Sequence, residues 1–399
     1  MTDQVRARRL DPFGTTIFSE MTALAIQHGA VNLAQGFPDF EGPPSMVEAV
    51  IRALRAGENQ YVRSQGHLRL VRALATRQRE RYGLDYDAER EIAVFSGATE
   101  GLMSAVLGLV NPGDEVILLE PYYDSYPVCV AMAGGVTRYL PLRFPAFEVN
   151  FDELASLFNE RTRLLLLNSP HNPTGKVLSA AELEGIAALC RHHDVLVVTD
   201  EVYEHLTYGD AVHVPMATLP GMRERTLTIS SAGKTFSFTG WKVGWAFGPA
   251  PLVAAAQAAH QYVTFCTPGA LQIGVAEALE SCGADFYAAL RSDYQSRRHF
   301  LVERLAALGF RVAPPQGTYF VLADFTPVWS GGDDLAFARY LTRACGVAAI
   351  PPSVFYRAAP EEGRRLVRFA FCKRRATLEA AAERLRKLAA GNDRPVDEL

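Results

Sequence analysis

The strongest candidate for a reactive side chain in this sequence is a lysine in a turn of small and hydroxyl residues. Lys234 follows the apolar stretch from Thr226 to Ile229, which predicts a buried strand, and Lys242 stands eight residues further along. A lysine amine can attack a carbonyl group when burial or a second cation lowers its pKa. Lys242 could be that cation, or it could bind an anion. The opposing interpretation is a strand end with two solvated lysines, because lysine is usually exposed.

Polar residues also follow two other apolar stretches. Asp200 and Tyr203 come directly after the stretch from Val195 to Thr199, and Asn172 lies in the turn after Leu164 to Leu167. In an open parallel sheet, ligands bind at the carboxyl ends of strands. Each residue has an ordinary structural interpretation as well, since an acid can cap a helix and Asn-Pro is a common turn.

A third strand end carries small residues. The stretch from Ile92 to Phe95 runs into Ser96, Gly97, Ala98 and Thr99, which open a predicted helix. Small residues before a helix leave free backbone N–H groups that can hold a phosphate, although the same residues could be a simple cap.

The pattern between residues 92 and 250 predicts an α/β fold with a mainly parallel sheet. Short apolar stretches alternate with helical patterns, as expected for strands that are buried on both faces. The predicted strands are Ile92–Phe95, Val116–Leu119, Leu164–Leu167, Val195–Thr199 and Leu227–Ser230.

The length of 399 residues predicts two domains. After about residue 285 an Arg-rich helix and several short strands indicate a smaller α+β domain. We expect residues 1–45 to form an N-terminal arm and part of the small domain. Residues 46–285 would form the large domain, and residues 286–399 would form the small domain.

Composition excludes several classes of function. The net charge is −4, and the sequence has no basic block typical of nucleic-acid binding. It also has no apolar run of membrane-spanning length and no signal-peptide core. The six cysteines form no Cys-x-x-Cys pair, which favours reduced thiols, no zinc site and a cytoplasmic protein.

Several motifs along about residues 13–388 occur in an order that resembles a known family. The chain resembles the class I and II aminotransferases of fold type I, which use pyridoxal 5'-phosphate. The resemblance is to the branch with the kynurenine, glutamine–phenylpyruvate, methionine and N-succinyldiaminopimelate aminotransferases. The motifs are Asn32 to Asp39, Asn59-Gln60-Tyr61, Glu120-Pro121-Tyr122-Tyr123, Asn172-Pro173-Thr174-Gly175, Asp200-Glu201-Val202-Tyr203, the Lys234 segment and Val367-Arg368-Phe369.

The resemblance implies three catalytic residues. Lys234 would form the internal aldimine and later move the proton between the substrate and the cofactor. Asp200 would pair with the pyridine nitrogen and keep it protonated. Tyr203, together with Asn172, would hydrogen-bond the ring oxygen.

The resemblance also implies a cofactor cradle and a homodimer. Tyr123 would stack on the ring, and Tyr61 would reach in from a second subunit. The residues expected around the phosphate are Gly97, Ala98, Thr99, Ser231 and Lys242.

The substrates implied are an amino acid and a 2-oxo acid. Arg368 would bind the substrate carboxylate beside the backbone of Gly36, with Asn172 close by. Phe18, Phe265 and Cys266 would line the pocket. Phe18 stands where relatives with aromatic substrates often have Trp, and Cys266 stands where some relatives have His. An apolar pocket mouth would fit methionine, an aromatic amino acid or a long-chain amino acid. Gln65 and His67, in an unusual loop from Arg63 to His67, could instead contact a larger polar substrate or could simply be solvated.

Two other functions remain open at this point. The same cofactor supports elimination, β- or γ-replacement and other carbanion chemistry, and a fold does not fix the reaction. A non-enzymatic regulator is the third class. It usually carries a DNA-binding domain, and only about 12 residues precede the resemblance.

Overall fold

A seven-stranded sheet forms the centre of the structure. The computed structural model describes residues 6–390. The strands in chain order are β1 (Val31–Asn32), β2 (Ile92–Phe95), β3 (Glu115–Glu120), β4 (Val136–Pro141), β5 (Thr162–Asn168), β6 (Leu196–Asp200), β7 (Thr226–Ser231), β8 (Gly244–Phe247), β9 (Arg311–Val312), β10 (Phe320–Asp324), β11 (Val347–Ala348) and β12 (Leu366–Ala370). The central sheet has the order β2-β8-β7-β6-β5-β3-β4.

The central sheet is mainly parallel, which confirms the predicted fold class. Only β8 runs antiparallel to its two neighbours, β2 and β7. The inner strands contain buried apolar runs, such as the one from Leu164 to Leu167. Such continuous apolar strands form when helices cover both faces of a sheet.

Fifteen α-helices are present among the described residues. They are α1 (Ile17–Gln27), α2 (Pro44–Arg55), α3 (Leu68–Tyr82), α4 (Gly97–Leu109), α5 (Ser125–Ala133), α6 (Phe151–Leu157), α7 (Ala180–His192), α8 (Ala232–Thr235), α9 (Ala250–Val263), α10 (Gly269–Ser281), α11 (Ala284–Ala307), α12 (Asp334–Tyr340), α13 (Pro360–Gly363), α14 (Arg375–Leu385) and α15 (Lys387–Ala390). Helix α7 begins with a capping box, in which Ser179 and Glu182 satisfy each other's backbone N–H groups.

Two smaller sheets pack beside the central one. Strands β9, β10 and β12 form an antiparallel sheet, and β1 pairs in parallel with β11. The early strand β1 therefore joins the later part of the chain. Arg368 lies in the middle of β12.

The remaining sequence expectations concern membranes and cysteines. Within residues 6–390, no helix is both long enough and apolar enough to cross a bilayer. All six cysteines are free thiols; Cys266 and Cys282 are half-buried and the others are buried.

Candidate active site

A cavity lies at the carboxyl ends of strands β2, β5, β6 and β7. Helix α4 begins at this edge directly after β2, and the short helix α8 follows β7. The predicted site residues Phe18, Gly36, Gly97, Ala98, Thr99, Tyr123, Asn172, Asp200, Tyr203, Ser231, Lys234, Lys242 and Arg368 all line the cavity. The fold therefore brings together residues that are more than 300 positions apart in the sequence.

Lys234 extends from α8 toward a loop of the N-terminal segment. Its Nζ donates a hydrogen bond to the carbonyl oxygen of Gly36 at 3.3 Å. Burial lowers the pKa of this amine to about 8, and the positive charges of Lys242 and Arg368 act in the same direction. An amine with this pKa is partly unprotonated near neutral pH, so it can act as a nucleophile or as a base.

Asp200 is a buried acid at the end of β6. The hydroxyl of Tyr126 donates to its Oδ2 at 2.8 Å, and the backbone N–H of Val202 donates to Oδ1 at 3.3 Å. Burial raises the pKa of Asp200 to about 6, although these two hydrogen bonds favour the ionised form. Asp200 is therefore suited to accept a hydrogen bond from a protonated group in the cavity.

Two asparagines connect the ends of neighbouring strands. The side chain of Asn168 donates to the carbonyl oxygen of Asp200 at 2.8 Å and accepts the backbone N–H of Asn172 at 2.7 Å. Asn172 in turn accepts a hydrogen bond from Nη1 of Arg368 at 3.1 Å through its Oδ1. The large and small sheets are thus joined through the site.

Arg368 is buried among aromatic rings. It is 1% exposed, and its guanidinium lies 4.1 Å from the ring centre of Phe320, 5.1 Å from that of Phe18 and 5.8 Å from that of Phe355. Nη2 donates to the carbonyl oxygen of Ala34 at 2.8 Å, but Nε is buried without a partner among the described residues. Burial lowers its pKa to about 10. A buried cation with an unpaired N–H can bind a carboxylate.

The start of α4 and Lys242 form a gap that suits a phosphate. Gly97 has a φ of +81°, and a Cβ at this position would lie 3.1 Å from Nζ of Lys242. The first N–H groups of a helix have no partner within the helix, and they favour anions. With the orphan N–H of Arg368 and the buried Asp200, these residues fit the expected pyridoxal phosphate.

Two tyrosines pack against each other beside Lys234. The rings of Tyr203 and Tyr319 meet edge to face with centroids 5.1 Å apart. The hydroxyl of Tyr319 donates to the carbonyl oxygen of Gly36, which also accepts from Lys234. Burial raises the pKa of Tyr203 well above its ordinary value, so its hydroxyl is protonated and can donate.

Three predicted site residues lie outside the cavity of this chain. Tyr61 is 85% exposed and meets Phe265 edge to face with centroids 5.2 Å apart. Phe265 is also exposed, and Cys266 beside it is half-buried. None of the three is among the residues that line the cavity in the described part of the chain.

Side-chain hydrogen bonds hold the unusual loop before α3 in place. The side chain of Gln65 donates to the carbonyl oxygen of Ile92 at 3.0 Å, and Nδ1 of His67 accepts the N–H of Arg69 at the start of the helix. Both side chains are therefore engaged in holding the loop and α3. Neither lines the cavity.

Sequence reasoning missed several residues of the cavity, among them Tyr126, Asn168 and Phe320. Tyr123 stands two residues before α5 and Tyr126 lies in its first turn, and the spacing of three positions could have placed both on one face. Asn168 is the last residue of β5, where a polar side chain marks the strand end. Phe320 belongs to an apolar strand, so no signal in its surroundings distinguished it from core.

Comparisons with known proteins cover almost the whole chain. The profile of the family "Aminotransferase class I and II" matches residues 28–385. A Mycobacterium tuberculosis protein described as "Probable N-succinyldiaminopimelate aminotransferase" is 48% identical over 392 residues, which cover 96% of this chain and 98% of that protein. Methionine aminotransferase of Escherichia coli is 42% identical over 380 residues, covering 95% and 97%. The solved structure of N-succinyldiaminopimelate aminotransferase from Mycobacterium tuberculosis matches with a TM-score of 0.93 at 47% identity, covering 96% of this chain and 100% of that one.

Proposed function

The chain belongs to the class I and II aminotransferases, and we propose that Lys234 is its catalytic lysine. The protein is an enzyme that uses pyridoxal 5'-phosphate to exchange an amino group between an amino acid and a 2-oxo acid. One observation carries the proposal: an amine with a pKa of about 8 shares a single cavity with a buried acid and a buried arginine. The bound cofactor would supply an aldehyde and an electron-withdrawing ring.

Lys234 would move the proton in the reaction. Its Nζ reaches the carbonyl oxygen of Gly36, which gives the free amine a hydrogen-bonded position on the substrate side of the cavity. From there it could remove the proton from the substrate Cα and hold it on Nζ for its return. The low pKa keeps a useful fraction of the amine unprotonated.

Asp200, Tyr203 and Asn172 would bind the cofactor ring. Asp200 would accept from the pyridine N–H and keep that nitrogen protonated. The Tyr203 hydroxyl and the Asn172 amide would donate to the ring oxygen. Because Oδ1 of Asn172 is bound by Arg368, its amide N–H groups are the ones available for this purpose.

The remaining cofactor contacts would be stacking and phosphate binding. Tyr123 would lie against the ring face, since it lines the cavity beside Tyr126. The phosphate would be bound by the backbone of Gly97, Ala98 and Thr99 and by Ser231 and Lys242, all of which line the same cavity.

Arg368 would bind the substrate carboxylate, with the backbone of Gly36 beside it. The unpaired Nε supports this role, because a carboxylate would satisfy it. Packing between Phe18 and Phe320 fixes the plane of the guanidinium. A fixed plane favours a carboxylate in one orientation and so presents the substrate Cα to Lys234.

We infer that the preferred substrate has an uncharged side chain. The cations lining the cavity within the described chain are Lys234, Lys242 and Arg368, and each has a role in the steps above. None is left to pair with a second carboxylate. Phe18 stacks on Phe355 with centroids 5.8 Å apart, which gives an apolar surface that suits methionine or an aromatic amino acid.

We also propose a homodimer in which Tyr61, Phe265 and Cys266 complete the site of the partner subunit. These residues lie outside the cavity of their own chain, and two of them form an exposed aromatic pair. Exposed apolar groups of this kind typically mark an interface. Tyr61 would contact the phosphate, and Phe265 and Cys266 would line the substrate pocket.

A screen of amino donors tests the substrate and the lysine together. Each donor is mixed with the purified enzyme alone, and the cofactor absorption band and the released 2-oxo acid are measured. We expect methionine and phenylalanine to exceed glutamate and N-succinyldiaminopimelate in kcat/KM. The variant Lys234→Ala should bind donors without releasing product. A preference for N-succinyldiaminopimelate would contradict the substrate class, and turnover by Lys234→Ala would contradict the role of the lysine.

A further inference from the structure

A half-buried carboxylate lies directly behind the start of α4. Glu100, in the first turn of this helix, accepts the backbone N–H of Ser96 at 2.9 Å through Oε2. The hydroxyl of Ser104 donates to Oε1, and Nδ1 of His260 lies 3.0 Å from both carboxylate oxygens. One side chain therefore connects the residue before α4, the second turn of α4 and the end of α9.

The contact between Glu100 and His260 is shielded from water. His260 is 0% exposed, and the side chain of Glu100 is 11% exposed. The ring of Phe95 meets the imidazole edge to face at 5.1 Å. Nε2 of His260 is buried without a partner in the described part of the chain, so the hydrogen bonding of this ring is directed to Glu100. Two buried polar groups persist together because each satisfies the other.

This pair, and not the usual cap, fixes the start of α4. Ser96 is the N-cap residue, yet its side chain makes no hydrogen bond to the helix. Its hydroxyl lies 3.2 Å from the hydroxyl of Thr267 instead. Glu100 uses the N–H of Ser96 and leaves those of Gly97, Ala98 and Thr99 for an external anion. The close packing of α4 on α9 supports the same geometry, since a Cβ at Gly108 would lie 2.1 Å from the carbonyl oxygen of Ala255.

We propose that Glu100 and His260 are positioning residues that aim the first N–H groups of α4 at the phosphate of the cofactor. This inference rests on the phosphate-binding role proposed above for residues 97–99. Neither residue lines the cavity, so both act through the backbone of the helix. Glu100 fixes the residue before the first turn, and His260 holds the carboxylate of Glu100 in place from the neighbouring helix.

The test compares pyridoxal 5'-phosphate with pyridoxal, which lacks the phosphate. Binding of each compound to the cofactor-free protein is measured by fluorescence titration. In Glu100→Ala we expect the Kd for pyridoxal 5'-phosphate to rise about tenfold, because a positioning hydrogen bond to the cradle is lost. The Kd for pyridoxal should change less than about twofold. In Glu100→Gln the amide oxygen can still accept from Ser96, so most of the phosphate preference should return.

Two further variants distinguish positioning from a loss of stability. Glu115→Ala removes a fully buried carboxylate elsewhere in the fold, bound by Arg138 and Arg161 at the start of β3, and should leave the preference for the phosphate unchanged. The double variant Glu100→Ala/His260→Leu should bind pyridoxal 5'-phosphate no more weakly than Glu100→Ala does, because the two residues act as a unit. The proposal would be overturned if Glu100→Ala bound both compounds equally more weakly, or bound both as tightly as the wild type. A wild-type protein without a preference for the phosphate would overturn the phosphate site and this inference together.

Discussion

Lys234 has properties that favour chemistry at the expense of stability. The amine is half-buried in the cavity, and among residues 6–390 its one hydrogen bond is to a backbone carbonyl. Burial lowers the pKa of Lys234 by more than the charge of Asp200 raises it. A charged group that is buried without close pairing destabilises the folded state. Catalytic residues commonly destabilise the folded state in this way.

We therefore expect Lys234→Met to stabilise the cofactor-free protein near neutral pH. The pKa falls from 10.5 in the unfolded chain to about 8 in the fold, so the unfolded state binds more protons between these values. The wild-type protein then gains stability as the pH rises through this window, and the variant does not. The variant should be more stable by on the order of 2 kcal/mol at pH 7, and the difference should vanish near pH 10.5.

Urea unfolding at several pH values measures this difference. The exposed Lys387 provides a matched control, and Lys387→Met should unfold like the wild type throughout the range. A stability difference for Lys234→Met that is independent of pH would mean that packing, and not protonation, is responsible.

At the scale of elements, the phosphate cradle depends on how closely β8 approaches α4. A Cβ at Gly244 would lie 2.6 Å from the backbone nitrogen of Ala98 and 2.6 Å from the carbonyl carbon of Gly97. Both neighbours are backbone atoms, so neither can move without shifting the helix. Glycine at this position is therefore needed for the position of the cradle.

We expect Gly244→Ala to displace the start of α4 and to weaken cofactor binding. Overpacking of this kind typically destabilises a fold by about 1–3 kcal/mol. The dissociation rate of the cofactor and the thermal midpoint of the cofactor-free protein measure the two effects. Gly240→Ala is the control, because no atom lies within 4 Å of a Cβ built there. Unchanged cofactor release in Gly244→Ala would contradict the role of this contact.

In the central sheet, the sequence predicted five of the seven strands and missed two. Strands β2, β3, β5, β6 and β7 were predicted to within two residues at each end, because each contains a short apolar stretch. The edge strand β4 is half-exposed and contains Arg138, so it lacks that pattern. Strand β8 is four residues long and begins with glycine, which weakens any strand signal. The domain boundaries near residues 45 and 285 stay a prediction.

The sequence predicted those site residues whose reactive side chains directly follow a buried strand. Lys234 and Asp200 follow buried strands, and this topology brings them to one edge of the sheet. Arg368 was placed by resemblance, because nothing in an apolar strand pattern tells where β12 packs. Tyr126 binds Asp200 from α5, and only the packing of that helix on the sheet reveals the contact.

At the scale of the whole molecule, a single chain does not bring all of its predicted site residues to its own cavity. Tyr61 and Phe265 form an exposed aromatic pair, and Tyr262 nearby in the sequence is 87% exposed. In a dimer with twofold symmetry, each surface of this kind meets the same surfaces of a second copy. The predicted roles of Tyr61, Phe265 and Cys266 then require that each active site be built from two chains.

A mixture of two inactive or weakened variants tests this shared site. Lys234→Ala lacks the amine but keeps Tyr61, and Tyr61→Ala keeps the amine but lacks the tyrosine. If Tyr61 serves the partner's site, a hybrid dimer contains one site with both residues intact. Co-expression with two different tags should give hybrids in about half of the dimers. Because one of the two sites in each hybrid is intact, about a quarter of all active sites should have both residues. We expect the purified hybrid to release 2-oxo acid with the KM of the wild type, which separates a repaired site from residual activity. If Tyr61 acts within its own chain, the hybrid contains no intact site, and its activity per amine will equal that of Tyr61→Ala alone.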